Sequence, residues 1–274
     1  MRTTDIPPIT NKQAEIITLL YRHRFLSREH IQKFLKHKLK ARSSDWLRDL
    51  KEKQYVGRIY DEHDFVAKTK PAVYYLGLNG LRYLRSLEKY PDEELRKRYT
   101  ESKRKQSFID RCMLIADCCL NVDSASSEDI TFSYVLPADY TDPGSDYYFL
   151  EELRPDACFI KQMDGVRTAY LFETFSATLP RYSLKKRIKD YVAFLDEEVW
   201  QSETGDDEPP VAQLAFYKKT DRIYAKRRAK LELSELYDDE IPEDITLRFT
   251  SVDKIREQGL TAKIWEKLKV NSSN

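Results

Sequence analysis

Long apolar runs are missing from this chain: no stretch of about 18 apolar residues occurs, and the opening MRTTDIPPITNKQ has no signal-peptide core. The expectation is a soluble, cytoplasmic protein with no membrane partner. Cysteine is scarce as well. Cys112, Cys118, Cys119 and Cys158 form no CxxC pair and sit in apolar stretches, which points to buried, reduced thiols. Of the histidines His23, His30, His37 and His63, three are spaced by seven residues. A turn at Phe25 to Ser27 breaks any single helix that would align them, and no cysteine or second close histidine completes a zinc set. Net charge is nearly absent too, with 47 Lys+Arg against 46 Asp+Glu giving +1.

What is present supports packed cores. The 274 residues give a length prior of two domains, and hydrophobic residues at 41% with aromatics at 12% supply the material. Charged residues reach 34%, above a globular norm of about 25%. Global disorder and a uniformly basic nucleic-acid coat are both excluded. The near-zero balance nevertheless hides a split. Residues 1–106 hold 25 Lys+Arg against 14 Asp+Glu, net +11, and residues 107–274 hold 22 against 32, net −10. A basic half of this kind is where a polyanion would bind.

Within that half, NKQAEIITLLYRHRF carries Ile16, Ile17, Leu19 and Leu20 at helical spacing and predicts a helix over about 11–23. Ser27 is a candidate N-cap for a short second helix with Ile31, Phe34 and Leu35 apolar. After the basic run KHKLKAR, SSDWLRDLKEKQYV predicts a third helix with Trp46, Leu47 and Leu50 inward. Two strand-like runs, YVGRIYD and PAVYYLGL, then flank the polar segment DEHDFVAKTK, and LNGLRYLRSL resumes helical spacing. In element order and in these residues, about 10–88 resembles winged helix-turn-helix domains. The resemblance implies that the start of the third helix enters a major groove while the wing grips backbone. The candidate double-stranded-DNA contacts are Lys38, Lys40, Arg42, Ser43, Ser44 and Arg48, with Lys68 and Lys70 in the wing. Acidic wing residues Asp61, Glu62 and Asp64 keep a protein-binding adaptor open as another reading.

Residues 91–124 read as connecting helices: Pro91 with Asp92, Glu93 and Glu94 opens one, and Phe108, Cys112, Ile115, Cys119 and Val122 share a face of the next. From 125 on, strands and helices alternate. ITFSYVL is a strand, Ala157–Gln162 and Arg167–Phe175 are a hairpin turning at Met163-Asp164-Gly165, and SLKKRIKDYVAFL is a helix. VAQLAFY, DRIYAKRRAKLEL and ITLRFTS follow as strand, helix and strand, with KIWEKL as a closing helix. This predicts a mixed sheet. Asp156 at the head of one strand and Glu173 near the end of the next resemble the carboxylates of the PD-(D/E)xK nuclease-like fold. That resemblance implies a divalent Mg²⁺ or Mn²⁺ site on Asp156 and Glu173, with a lysine two positions on. Here Phe175 holds the lysine position, and Lys185, or Lys186 beside it, is the candidate substitute.

Across most of its length the chain is similar to the replication-relaxation family of mobile-element and plasmid proteins. The residues carrying the similarity are the winged-helix start, Arg154-Pro155-Asp156 before a strand, LFETFSAT at 171–178, the helix with Lys185, Lys189 and Tyr191, and TSVDKIREQGLTAKIW. The resemblance implies an α+β protein. It consists of a winged helix-turn-helix domain over 1–90, connecting helices over 91–124, and an α/β PD-(D/E)xK nuclease-like domain with a mixed sheet over 125–274. It implies DNA binding in plasmid replication, relaxation or transfer, or in transcriptional control, with a homodimer and a replication or relaxosome protein as partners. The nuclease-like domain is read as inactive and without cofactor; the alternative is a divalent-metal-dependent DNA endonuclease directed by the winged helix.

Overall fold

In the computed structural model of the chain, which describes residues 6–60, 71–237, 242 and 245–268, Thr10 starts the first helix. Its hydroxyl accepts from the Gln13 N–H (3.3 Å) while the Gln13 side chain accepts from the Thr10 N–H (2.9 Å), a capping box for α1 (Asn11–His23). β1 (Leu26–Ser27) is a short strand where only a turn was expected. Ser27 then caps α2 (Arg28–Phe34): its hydroxyl accepts from the His30 N–H (3.2 Å), and His30 Nδ1 accepts from the Ser27 N–H (3.4 Å). With Nδ1 accepting, Nε2–H of His30 donates to Asp117 (2.8 Å). α3 (Lys40–Glu52), β2 (Val56–Ile59), β3 (Val73–Leu76) and α4 (Leu78–Ser86) follow.

The three strands pair antiparallel in the order β1-β3-β2, beside the three helices, which is the winged-helix arrangement. Ile16, Ile17 and Leu20 of α1, Ile31 of α2, Leu47 and Leu50 of α3, and Leu81 and Leu84 of α4 are buried. Gly80 lets α4 approach the turn after α3, because a Cβ there would stand 2.4 Å from the Tyr55 carbonyl oxygen. The wing tip, with Lys68, Lys70, Asp61, Glu62 and Asp64, lies outside the described residues.

The chain divides into two units, Met1–Leu120 and Asn121–Asn274, so the division falls inside the helix Gln106–Ala125. α5 (Asp92–Lys97), a 3-10 helix (Arg98–Lys103) and α6 (Gln106–Ala125) therefore belong largely to the first unit. The polar stretch that reads as a connector buries charge: Glu101 is 1% and Arg98 4% exposed, and Arg24 grips Glu101 Oε1 through Nε (2.9 Å) and Nη2 (2.7 Å). His23 is buried against Phe34, ring centroids 4.5 Å apart. Burial first, and the charge of Arg22 second, pull its pKa down to about 3. The unfolded imidazole takes a proton near pH 6.5, so protons favour the unfolded chain below that value. Stability is thus expected to fall as pH drops from about 6.5 toward 3, with a slope of at most about 1.4 kcal/mol per pH unit. Urea melts at about pH 7 and about pH 5 check this: the loss shrinks in His23→Phe, and an equal loss in both proteins would refute it.

The second unit is a six-stranded mixed sheet, order β4-β5-β6-β7-β8-β9. β4 (Ile130–Val135) leads through two short helices, α7 (Pro137–Tyr140) and α8 (Leu150–Leu153), into the hairpin of β5 (Ala157–Met163) and β6 (Val166–Phe175). Asp164 and Gly165 turn it with φ of 52° and 78°, the left-handed pair a tight hairpin needs. α9 (Arg181–Asp196) and α10 (Val199–Thr204) cross over to β7 (Val211–Phe216), parallel to β6, and α11 (Lys219–Tyr237) crosses to the parallel β8 (Leu247–Ser251). Three antiparallel strands followed by a helix and a parallel strand make the mixed sheet that the strand–helix alternation predicts. Leu184, Ile188 and Val192 of α9 and Ala225, Ala229 and Leu233 of α11 pack on one sheet face, against Cys158, Ile160, Leu171, Leu214 and Phe249. All four cysteines are buried and outside any disulfide; burial pushes the Cys158 thiol up to about 12, which leaves it inert at neutral pH.

One expected helix is absent. α12 (Val252–Gln258) stops at Gly259, φ 86°, and KIWEKL instead contains β9 (Glu266–Lys267), antiparallel to β8. The edge of the sheet satisfies its backbone, as the Leu268 N–H to the Leu247 carbonyl (2.9 Å) shows.

Candidate functional site

α3 begins without a side-chain cap: its N-cap is Leu39, a large apolar residue that is 63% exposed. The first amides of the helix are left to solvent or to an anion, and the partial positive charge of the helix end favours the latter. Lys38, Lys40, Arg42, Ser44 and Arg48 are all exposed around it. Lys40, Ser44 and Arg48 recur at intervals of four and so form one stripe along the helix, the Ser44 hydroxyl donating to the Lys40 carbonyl (3.3 Å). Arg48 rests on Asp45 (2.6 Å), an exposed pair weak enough to be exchanged for a stronger partner. Arg42 sits over Trp46 at 6.0 Å, and the His37 ring meets the half-buried Trp46 edge-on at 4.9 Å.

Ser43 is a correction. It is fully buried, with its hydroxyl unpartnered among the described residues, and it cannot reach a ligand outside. Helical spacing accounts for this: Ser43 stands one turn before Leu47 on the inward side of α3. Lys33 and Lys36 were missed. They line a hollow of about 340 Å³ together with Arg28, Glu29, Gln32, His37 and Lys40; Glu29 pairs with Arg28 (3.2 Å), and Lys33 and Lys36 extend the cationic surface from α3 onto α2. Lys68 and Lys70 fall in the segment outside the described residues.

The Asp156 and Glu173 pair is closed on the protein. Asp156 Oδ2 accepts from both the N–H and the hydroxyl of Thr174 (2.8 Å each). Glu173 receives a two-pronged ion pair from Arg187 of α9, Nε to Oε1 at 3.0 Å and Nη2 to Oε2 at 2.6 Å. The two carboxylates are 5% and 7% exposed. Tyr140, whose hydroxyl donates to the Pro155 carbonyl (2.7 Å), is pushed far above its ordinary phenol range by burial and then by the charges of Asp156 and Glu173. Phe175, at the lysine position, is in the core with its ring stacked on Phe216 at 4.8 Å. Lys185 is exposed, and the cation that reaches Glu173 is Arg187 instead.

This donor set does not fit a hydrated divalent ion. Both carboxylates are committed to protein donors, a guanidinium already supplies the counter-charge, and no lysine stands where one would assist a water. Among the described residues no group of three metal-ligating side chains occurs. The arrangement ties the ends of β5 and β6 to α9.

Among the described residues, no helix is long and apolar enough to cross a membrane. No curated protein matches the chain in sequence. Distant likenesses exist among solved structures. A mutant of S. aureus MepR bound to an oligodeoxyribonucleotide is 21% identical over 38% of this chain and 71% of its own, with a TM-score of 0.25. A mutant of Lactococcus lactis ZitR is 17% identical over 40% and 72%, with a TM-score of 0.26. The restriction endonuclease FokI is 14% identical over 93% of this chain and 48% of its own, with a TM-score of 0.30. The replication-relaxation family profile matches residues 17–207, which take in the winged helix, both buried carboxylates and α9. With most of its length matched, the chain belongs to the replication-relaxation family.

Proposed function

We propose that the protein binds double-stranded DNA through α3 and serves a plasmid or mobile element in replication, relaxation or transfer, or in transcriptional control. The observation that carries this reading is the exposed face of α3, where Lys38, Lys40, Arg42, Ser44 and Arg48 surround an uncapped helix start. Cations and free amides placed on one convex helix are what phosphates and base edges in a major groove require. Family membership and the net charge of +11 over residues 1–106 support it. The cationic residues Lys38, Lys40, Arg42 and Arg48 act on phosphates, Ser44 meets base edges, and Lys68 and Lys70 of the wing add backbone contacts. The second unit works without metal or catalysis. It supports a homodimer or receives a replication or relaxosome protein. A dimer would set two copies of α3 on half-sites about 34 Å apart or a multiple of that, which DNase footprints would show as 10–11 base-pair periodicity.

The test is a titration of random duplex DNA at several salt concentrations. Phosphate contacts from Lys38, Lys40, Arg42, Arg48, Lys68 and Lys70 predict that log affinity falls against log salt with a slope of roughly −5. A flat salt response would remove α3 as a DNA-binding element.

A further inference from the structure

The sheet of the second unit has a second face. Cys158, Ile160, Leu171, Leu214 and Phe249 point to α9 and α11, so their strand neighbours Phe159, Lys161, Tyr170, Gln213 and Arg248 point the other way. A cavity of about 510 Å³ opens on that side, walled by Val122 and Ala125 of α6 and by the segment from Leu260 to Trp265. It is separate from Asp156, Glu173 and Arg187, none of which lines it.

Three features of its lining point to one kind of ligand. The first is charge. Lys161, Arg248 and Lys263 all line the cavity, no Asp or Glu does, and none of the three cations has an ion pair or side-chain hydrogen bond among the described residues. This is notable in a unit that carries 21 Lys+Arg against 30 Asp+Glu, where carboxylates are in surplus. Like charges gathered without a counter-charge repel one another, and an anion relieves them. The second is Gln213, which lies next to Arg248 in the β7–β8 register and is 6% exposed. Its amide faces the cavity and makes no hydrogen bond within the described protein, so donor and acceptor are both available to a guest. The third is aromatic. Phe159 forms part of the floor, Phe132 and Tyr170 stand beside it, and Trp265 closes one side. The indole is fixed, its Nε1–H donating to the Leu260 carbonyl (2.9 Å) and its ring meeting Phe172 edge-on at 6.4 Å.

An anion, a planar ring and an amide-reading hydrogen-bond edge are combined in a nucleotide. We propose that this cavity binds one, with the base against the Tyr170 and Trp265 rings, the phosphate among Lys161, Arg248 and Lys263, and Gln213 bonded to a polar edge of the base or sugar. The volume lies within the range of about 300–1,000 Å³ usual for small-ligand sites. Aromatic faces accept any base by stacking, so the site selects nucleotides as a class. The same chemistry has two sources: a free mononucleotide, or one unit of a single strand entering the open side. The proposal does not depend on α3, because all of its residues lie in the second unit.

Calorimetric titration of the full chain separates the cases, with deoxyadenosine monophosphate, ribose 5-phosphate and a short oligothymidylate as probes. Wild type is expected to bind the mononucleotide, the oligothymidylate or both, and ribose 5-phosphate more weakly. Lys161→Ala with Arg248→Ala is expected to weaken binding at least about tenfold, and Gln213→Leu also weakens it. Thermal melts establish that each variant is folded. Competition of the oligothymidylate by the mononucleotide supports a free nucleotide as ligand, and oligothymidylate binding alone, lost in the double variant, supports a strand unit. Three results overturn the proposal: no binding of either nucleotide probe by folded wild type, binding unchanged in the double variant, or ribose 5-phosphate bound as tightly as the nucleotide.

Discussion

Replacing Arg187 by alanine is expected to destabilise the second unit by about 3 kcal/mol, lowering its Tm by roughly 6–12 °C. The loss comes from what is left behind. Glu173 is 7% exposed, and without Arg187 its charge stays buried beside Asp156 with its two-pronged guanidinium partner gone. The Arg187 side chain itself keeps 20% exposure, which places the effect at the lower end of the range for a broken buried pair. Arg187→Met combined with Glu173→Gln removes both charges and is expected to recover most of the loss, since a neutral pair carries no such desolvation penalty. Arg187→Lys falls between, because a point-like ammonium cannot meet both carboxylate oxygens in the planar two-pronged geometry. Differential scanning calorimetry of the four proteins provides the comparison. The same melts examine the carboxylates as a metal site. Added Mg²⁺ or Mn²⁺ leaves the wild-type Tm in place, and a rise of several degrees would mean that metal displaces Arg187 and would restore the endonuclease reading.

Local rules carry the sequence reading a long way. Ser27 as a cap, Asp164-Gly165 as a hairpin turn and the strand–helix alternation from Ile130 onward depend on neighbouring residues alone, and the structure has each of them. What escapes is set by distant partners. β1 is two residues long and exists because β3 pairs with it; no two-residue pattern can announce that. KIWEKL has helical spacing, but the free edge of β8 takes it as a strand. Arg98 and Glu101 sit in a run of charged residues that reads as solvated, yet they are buried because Arg24, far away in sequence, completes their pairing. Arg187 was hidden for the same reason. Lys185 and Lys186 precede it with identical charge, and only the helical phase, which places Arg187 between the buried Leu184, Ile188 and Tyr191, turns it toward Glu173. On α3 the phase also decides the outcome: Ser43 falls inward and Ser44 outward, so two adjacent serines have opposite fates.

That phase determines the second large effect. Arg42→Glu with Arg48→Glu is expected to weaken duplex DNA binding on the order of a hundredfold at moderate salt and to flatten the log–log salt slope by about two. Both side chains are exposed, and neither packs in the core around Leu47 and Leu50, so the fold should survive; circular dichroism confirms it. Arg48 must first release Asp45, and Asp45→Asn should therefore strengthen binding a few-fold by removing a competing carboxylate beside the phosphates. Ser43→Ala, by contrast, changes no contact surface and should leave affinity within a factor of two, whereas Ser44→Ala alters the exposed stripe. Fluorescence anisotropy with labelled duplex at two salt concentrations measures all of these at once. Lys185→Glu, an exposed change of the same sign on α9, separates a local effect from a general one. If it weakens binding as much as the α3 pair does, the DNA lies along the second unit and the assignment of α3 fails.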